Sequence, residues 1–289
     1  MRAFELHHAE NLDHTLSLLS TLEDVHLMAG GTSLMLLMNL GLVEPTNVVL
    51  LRRVRELQGI QRSADGGLEI NALVTHRQAE LSPEVRAYCP TLSETFRHVA
   101  TVRIRNQATV GGNLAHADPA QDPPPMLIAL RAEVVLKSSS RTRRLSLEEF
   151  FRDYLTTALE PDEVLTSVRL PPLPNGTRAT YEKFLPRTRD DYATVSVAVS
   201  LQAEDGQCKD VRIALGGAAS VPLRLTQVED ALRGEQLTER RIREAAALVP
   251  DLVDPPTDAR GSADYKRKMA RVWTERALRR FSQVNHDLH

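Results

Sequence analysis

Two stretches of the chain carry residue types suited to holding a ligand. One spans residues 102–122, VRIRNQATVGGNLAHADPAQD, and sets Thr109, the pair Gly111-Gly112, Asn113 and Asp122 between a basic segment and Pro123-Pro124-Pro125. The other lies upstream and reads Ala29, Gly30, Gly31, Thr32, Ser33, Leu34. Paired glycines let a backbone approach another group closely, and the flanking Thr, Ser, Asn and Asp supply hydrogen-bonding groups that a plain reversal does not need. Either pair taken alone could equally be a tight loop between buried elements. Together they suggest one long ligand held at two points.

The kind of ligand follows from the setting. Residues 25–28 read as a short strand and residues 34–38 as a helix-prone apolar run, so the first glycine pair is expected at a strand-to-helix junction. Such a junction presents unpaired backbone N–H groups and the positive end of a helix dipole, which favour a phosphate. Neither GxGxxG nor GxxxxGK[ST] occurs in the chain, so Rossmann and P-loop sites lack their signatures. A G-x-S-x-G elbow and clustered His and carboxylates at ligand spacing are also missing, so no catalytic residue and no metal ligand is assigned. His76 and His98 read as packing or surface residues on helices. Phosphate-friendly loops without nucleophile, base or metal suit a protein whose reactive centre is a bound cofactor.

The elements that must position these loops can be laid out in order. Asn11 caps a helix marked by Leu12, Leu16 and Leu19, and residues 47–51 form a buried strand. Residues 58–62 and 68–72 make a hairpin, Thr75 caps a helix over 76–81, and a longer helix follows Pro90 with Leu92, Phe96 and Val99 on one face. Residues 102–105 read as a strand leading into a glycine turn at 111–112. Then come a helix over 126–130, a strand over 132–136, a short helix over 148–154 and a strand over 163–170. Three prolines and a glycine in residues 171–176 oppose any regular element and place a domain boundary there. Beyond it, strands over 177–185, 193–202 and 208–215 precede helices over 225–233, 239–248 and 263–283. The last is expected to bury Tyr265, Met269, Val272, Trp273 and Phe281 and to show Lys266, Arg267, Lys268 and Arg271 on a basic outer face.

The composition bounds the partners. A length of 289 residues allows two or three subdomains, and a net charge of -2 with interspersed signs gives no sign of nucleic-acid binding; the 141–144 Arg cluster reads as a hairpin flank. Two distant cysteines, Cys89 and Cys208, support neither a disulfide framework nor a cysteine-ligated metal, which suits a reducing compartment. The amino terminus lacks the apolar core of a signal peptide and no apolar run approaches the roughly 18 residues of a membrane span, so a cytoplasmic, non-spanning protein is expected.

Several motifs in order carry a resemblance. Residues 29–34, Ile104-Arg105-Asn106, residues 108–113, residues 118–123 and Asp191-Tyr192-Ala193-Thr194 together resemble the FAD-binding medium subunits of molybdenum hydroxylases, the family of the carbon monoxide dehydrogenase flavoprotein subunit and the xanthine dehydrogenase FAD-binding subunit. The resemblance runs essentially end to end. It implies an α+β fold: a two-subdomain FAD-binding unit of the vanillyl-alcohol-oxidase/PCMH type, over 1–55 and 56–172, then a smaller α+β domain over 177–289 with a three-stranded antiparallel sheet and helices. It implies FAD as cofactor, with the pyrophosphate on Ala29, Gly30, Gly31, Thr32 and Ser33 and a second clamp at Thr109, Gly111, Gly112 and Asn113. Asp122 would be a polar contact, Val99, Ala100 and Leu165 would line the flavin, and Lys183 and Tyr192 would stand near the isoalloxazine. It implies partners too: a molybdenum-cofactor large subunit and a [2Fe-2S] small subunit, assembled as a dimer of heterotrimers, with electrons leaving to NAD, quinone or oxygen. The hydroxybenzoyl-CoA reductase branch carries an extra iron–sulfur cluster in this subunit, and two cysteines cannot supply its four thiolates. The loop over 186–190 has a charge pattern of its own, so the acceptor is not inherited from the family. A free-standing flavin oxidoreductase acting on a small organic substrate, and a non-redox assembly protein of the same fold, remain alternatives.

Overall fold

The computed structural model describes residues 2–185, 188, 190–204 and 206–282. The chain opens on a three-stranded parallel sheet: β1 (Glu5–His8), α1 (Leu12–Thr21), β2 (Val25–Met28), α2 (Leu34–Asn39) and β3 (Asn47–Leu50), in the order β1-β3-β2. Asn11 caps α1 by accepting the His14 amide, so the chain turns into the helix with Leu12 and Leu16 facing Val49. The chain between β2 and α2 is the 29–33 loop.

A five-stranded antiparallel sheet follows, ordered β4-β5-β10-β6-β7. β4 (Ile60–Arg62) and β5 (Leu68–Asn71) form its first hairpin. Six helices then cross over it: α3 (His76–Leu81), α4 (Pro83–Tyr88), α5 (Pro90–Arg97), α6 (Val102–Arg105), α7 (Val110–His116) and α8 (Pro123–Ala129). β6 (Glu133–Lys137), β7 (Thr142–Ser146), α9 (Leu147–Phe150), the β8 (Phe151–Asp153) and β9 (Thr156–Thr157) ribbon, and β10 (Val164–Leu170) complete this part. Thr75 and Gln78 make a reciprocal capping box on α3. The three prolines 123–125 occupy the first turn of α8, where their missing N–H groups cost nothing. Phe96 and Phe150 are wholly buried under this sheet, each contributing about 2 kcal/mol from area removed from water.

Residues 171–176 hold no regular element. After them β11 (Thr177–Phe184), β12 (Val195–Glu204), β13 (Gln207–Gly216) and β14 (Leu223–Arg224) form a four-stranded antiparallel sheet, followed by α10 (Thr226–Leu232), α11 (Glu239–Ala246), α12 (Val249–Leu252) and α13 (Ala263–Ser282). Both faces of this sheet are covered. Ala198 and Ala214 join the core beneath α8, while Val197, Val199, Ile213 and Leu215 pack with the C-terminal helices. Small residues on one face let α8 approach closely, and the branched residues fill the other.

The structure corrects several expectations. Residues 102–105 are helical, because the Thr101 side chain accepts the Ile104 amide and starts a turn that a short V-R-I-R run cannot signal by alternation. Gly111-Gly112 lies inside α7 and not in a turn, since Thr109 caps that helix through the Gly112 amide. The helix expected over 148–154 ends at Phe150 and passes into β8. The last sheet has four strands, the fourth being a two-residue piece too short to read from sequence. α13 is also rotated from its expected face: Lys266 is buried, with its ammonium 2.8 Å from Asp258 and donating to the Pro256 carbonyl, whereas Tyr265 is exposed. Gln283 and most of the 186–190 loop lie outside the described residues.

Candidate cofactor site

The two glycine stretches lie side by side. A Cβ on Gly30 would fall 1.9 Å from the Gln107 carbonyl oxygen, and a Cβ on Gly112 would fall 3.7 Å from Ala29 Cβ. Gly111 rests on Ala72, where a Cβ would come within 2.9 Å of its backbone. Gly30 and Gly111 therefore serve contact of backbone with backbone, drawing the 29–33 loop, the approach to α7 and the end of β5 into one cradle. Gly31 has a different reason: its φ of +71° is left-handed, a region that L side chains rarely enter.

The donors of the cradle are unevenly distributed. Among the described residues, no acceptor meets the amides of Gly30, Gly31, Thr32 or Ser33, and the Ser33 side chain makes no cap on α2. With the Thr32 hydroxyl alongside, the loop is a concave run of donors fitted to a polyanion. The expected helix dipole contributes little, since α2 has only 6 residues. The second clamp is built the other way round. The Val110 and Gly111 amides donate to the carbonyls of Val74 and Ala72, and those of Gly112 and Asn113 donate to Thr109. Thr109 is thus a helix cap first, and what this side offers is the exposed Gly112 surface and side-chain oxygens. Asn113 Oδ1 and Gln121 Oε1 are buried with no partner among the described residues, two acceptors that a ligand bearing hydroxyl or imide donors would satisfy. Unpaired donors in the first loop and the orphaned acceptor of Asn113 in the second fit a molecule that carries both a pyrophosphate and donor groups, as FAD does.

Asp122 and Lys183 come together from opposite sides of the 171–176 linker. Lys183 Nζ lies 3.0 Å from Asp122 Oδ2 and donates to the His98 carbonyl at 3.0 Å, and the Tyr181 hydroxyl donates to Asp122 Oδ1 at 2.6 Å. Both charged side chains are about 95% or more buried. Burial pushes the Asp122 carboxyl up to about 6, against the opposing pull of Lys183 and Tyr181. Strand β11 thereby reaches across to the start of α8 and the end of α5.

Val99 is buried at the end of α5, and Ala100 next to it has a φ of +38°, a strained value for an alanine. Tyr192 is 41% exposed, with the Arg260 guanidinium 5.7 Å from its ring centroid. Partial burial, then the nearby carboxylates of Asp118 and Asp122, push its phenol up to about 12. Leu165 sits apart from these groups, buried in the core of the five-stranded sheet beside a β-bulge. Tyr181, Glu80 and Arg260 were missed from sequence. Their importance depends on partners 25 to 68 positions away, for which a single chain offers no periodic signal.

Known proteins resemble this chain along nearly its whole length. Residues 2–173 match the FAD binding domain in molybdopterin dehydrogenase, and residues 179–281 match the CO dehydrogenase flavoprotein C-terminal domain. The carbon monoxide dehydrogenase medium chain of Hydrogenophaga pseudoflava is 34% identical, covering 95% of this chain and 96% of its own. The glyceraldehyde dehydrogenase medium chain of Sulfolobus acidocaldarius is 31% identical, covering 94% and 95%. Among solved structures, carbon monoxide dehydrogenase from Hydrogenophaga pseudoflava superposes with a TM-score of 0.93 at 35% identity over 96% of each chain. Quinoline 2-oxidoreductase from Pseudomonas putida 86 gives 0.92 at 33% identity over 98% of each chain. The fold and the cradle define a flavin-binding α+β protein. The chain belongs to the family of FAD-binding subunits of molybdopterin dehydrogenases, and it is an FAD-binding subunit of an oxidoreductase complex. No helix among the described residues is long and apolar enough to cross a membrane.

Proposed function

We propose that the chain passes electrons through FAD from a [2Fe-2S] small subunit to an external acceptor (NAD, quinone or oxygen), while a molybdenum-cofactor large subunit oxidises the substrate. The assembly is a dimer of heterotrimers. The observation that carries the reading is the spread of relatives: chains named for glyceraldehyde, carbon monoxide and nicotine oxidation align with this one at 31–34% identity over at least 93% of its length. One conserved chain length and fold serving such different substrates is a common electron module, and substrate choice resides in another polypeptide. The two cysteines of this chain cannot furnish the four thiolates of a cluster, so its electron donor is also a separate chain.

Bound FAD supplies the redox chemistry, linking one-electron and two-electron partners. The protein holds and tunes it. The amides of Gly30, Gly31, Thr32 and Ser33, which have no other acceptor among the described residues, would bind its pyrophosphate, with Ala29 as the wall facing Gly112. Gly111 and Gly112 keep the second wall close, Thr109 fixes the turn, and Asn113 accepts from the cofactor. Val99 and Ala100 would form the apolar side that excludes water, while Leu165 stays in the core of the five-stranded sheet. Asp122 and Lys183 would set a buried charge pair beside the cofactor, and Tyr192 would cover it from solvent.

The test is co-purification with the neighbouring subunits, followed by cofactor analysis and addition of the complex's substrate. The expected result is one FAD per chain, bleached by substrate only when all three subunits are present. Absence of flavin would overturn the proposal, and bleaching of the isolated chain by a small organic substrate would replace it with a free-standing flavin enzyme.

A further inference from the structure

Arg105 ends α6, but its side chain turns back under the preceding loop and is only 11% exposed. Nη1 donates to the Val99 carbonyl at 2.8 Å and the Ala100 carbonyl at 2.6 Å, and Nε donates to Glu80 Oε2 at 3.0 Å. Glu80 is itself fixed: Arg77 donates to its other oxygen at 2.7 Å, and its backbone carbonyl accepts the Ser93 hydroxyl. One planar, permanently charged fork thus joins α3 to the exit of α5, where the chain passes through the left-handed conformation of Ala100. An alanine held at positive φ needs such an anchor.

The geometry has a direct consequence. The peptides here are trans, and in a trans peptide the C=O and N–H point in opposite directions. With the Val99 and Ala100 carbonyls turned onto Arg105, the amides of Ala100 and Thr101 turn away from it. Among the described residues neither amide has an acceptor. They are two adjacent donors, turned away from a buried arginine, at and beside residues of the proposed flavin lining.

We propose that Arg105 is a positioning residue for the flavin ring: by gripping the Val99 and Ala100 carbonyls it presents the Ala100 and Thr101 amides as a donor pair to an acceptor-bearing ring edge. The inference rests on the cofactor reading above. Such donors stabilise the more negative reduced ring over the oxidised one, so Arg105 raises the flavin's reduction potential without touching it.

The experiment uses the full chain purified with its partner subunits and compares Arg105→Gln, Arg105→Lys and the neighbouring exposed-residue control Arg103→Gln. FAD retention, visible circular dichroism, flavin midpoint potential and thermal unfolding are read on each. Arg105→Gln is expected to keep FAD about five- to tenfold more weakly, as the loss of one or two hydrogen bonds implies. Its midpoint potential should shift negative with an altered visible dichroic band, Arg105→Lys should shift less in the same sense, and Arg103→Gln should match wild type. Adding Ala100→Gly to Arg105→Gln relieves the backbone strain, so it should recover folding stability while the potential stays shifted. Arg105→Gln and Arg105→Lys proteins that fold with wild-type potential and dichroism would overturn the proposal, whatever their stability. A wild-type complex without FAD would bring down the cofactor reading and this inference together, a result distinct from an unshifted variant.

Discussion

Lys183 and Asp122 form a buried ion pair at 3.0 Å whose two members stand on opposite sides of the proline-rich linker. The pair ties the C-terminal sheet to the first turn of α8, and Tyr181 and the His98 carbonyl complete its hydrogen bonding. Removing one partner of such a pair strands the other in a dry site, at a cost of about 3–5 kcal/mol. Lys183→Met is therefore expected to lower unfolding stability by that order in denaturant titrations. The Asp122→Leu/Lys183→Met double variant should recover much of the loss.

The same pair gives stability a pH signature. The Asp122 carboxyl is raised from 3.8 to about 6, so the folded chain holds its proton more tightly than the unfolded chain does. That contribution is fully present below pH 4 and is lost as pH rises through about 6, amounting to on the order of 3 kcal/mol. Unfolding free energies of wild type and Asp122→Asn, measured between pH 4 and 7, should diverge across this window, with wild type losing ground as pH rises. Parallel curves would show that Asp122 does not titrate there.

The glycines divide into two classes that one experiment can separate. Gly30→Ala and Gly111→Ala drive a methyl into backbone at 1.9 and 2.9 Å, and both are expected to destabilise the chain by about 1–3 kcal/mol or more even before cofactor is considered. Gly112→Ala presses on the Thr109 hydroxyl at 2.8 Å and makes only ordinary contact with Ala29 at 3.7 Å, so it should cost about 1 kcal/mol, the worth of the cap, yet still lower FAD retention because this surface faces the cradle. Thermal unfolding beside flavin content distinguishes the two.

Both cysteines are buried, and burial pushes the Cys208 thiol up to about 11 and raises that of Cys89. Neither is expected to react with a thiol reagent at neutral pH in the folded chain, and both should react on unfolding. Rapid labelling of the native protein would show that one of these segments opens locally.

Much of the fold was legible because it is written in local signals. Asn11, Thr75 and the prolines after Asp122 mark helix starts, and the alternating apolar runs of the last sheet mark its long strands. The first glycine loop was read correctly as a strand-to-helix junction, but its donor strength comes from the open amides and not from a six-residue helix. The second reads as a turn but starts α7, because two glycines and a flanking Thr look the same whether they break a chain or open a capped helix. Lys266 looked like one more solvated lysine on α13; only the distant Asp258 and Pro256 show why it is inside. Wherever meaning depends on a partner far along the chain, as for Arg105 with Glu80 or Lys183 with Asp122, sequence pattern alone is silent.

The contact of Gly30 with the Gln107 carbonyl has a consequence for the width of the cradle. The two walls meet there main chain to main chain, with no room for a single carbon between them. Any residue other than glycine at position 30 would wedge the walls apart, so the spacing of the cofactor's berth is written in one missing side chain.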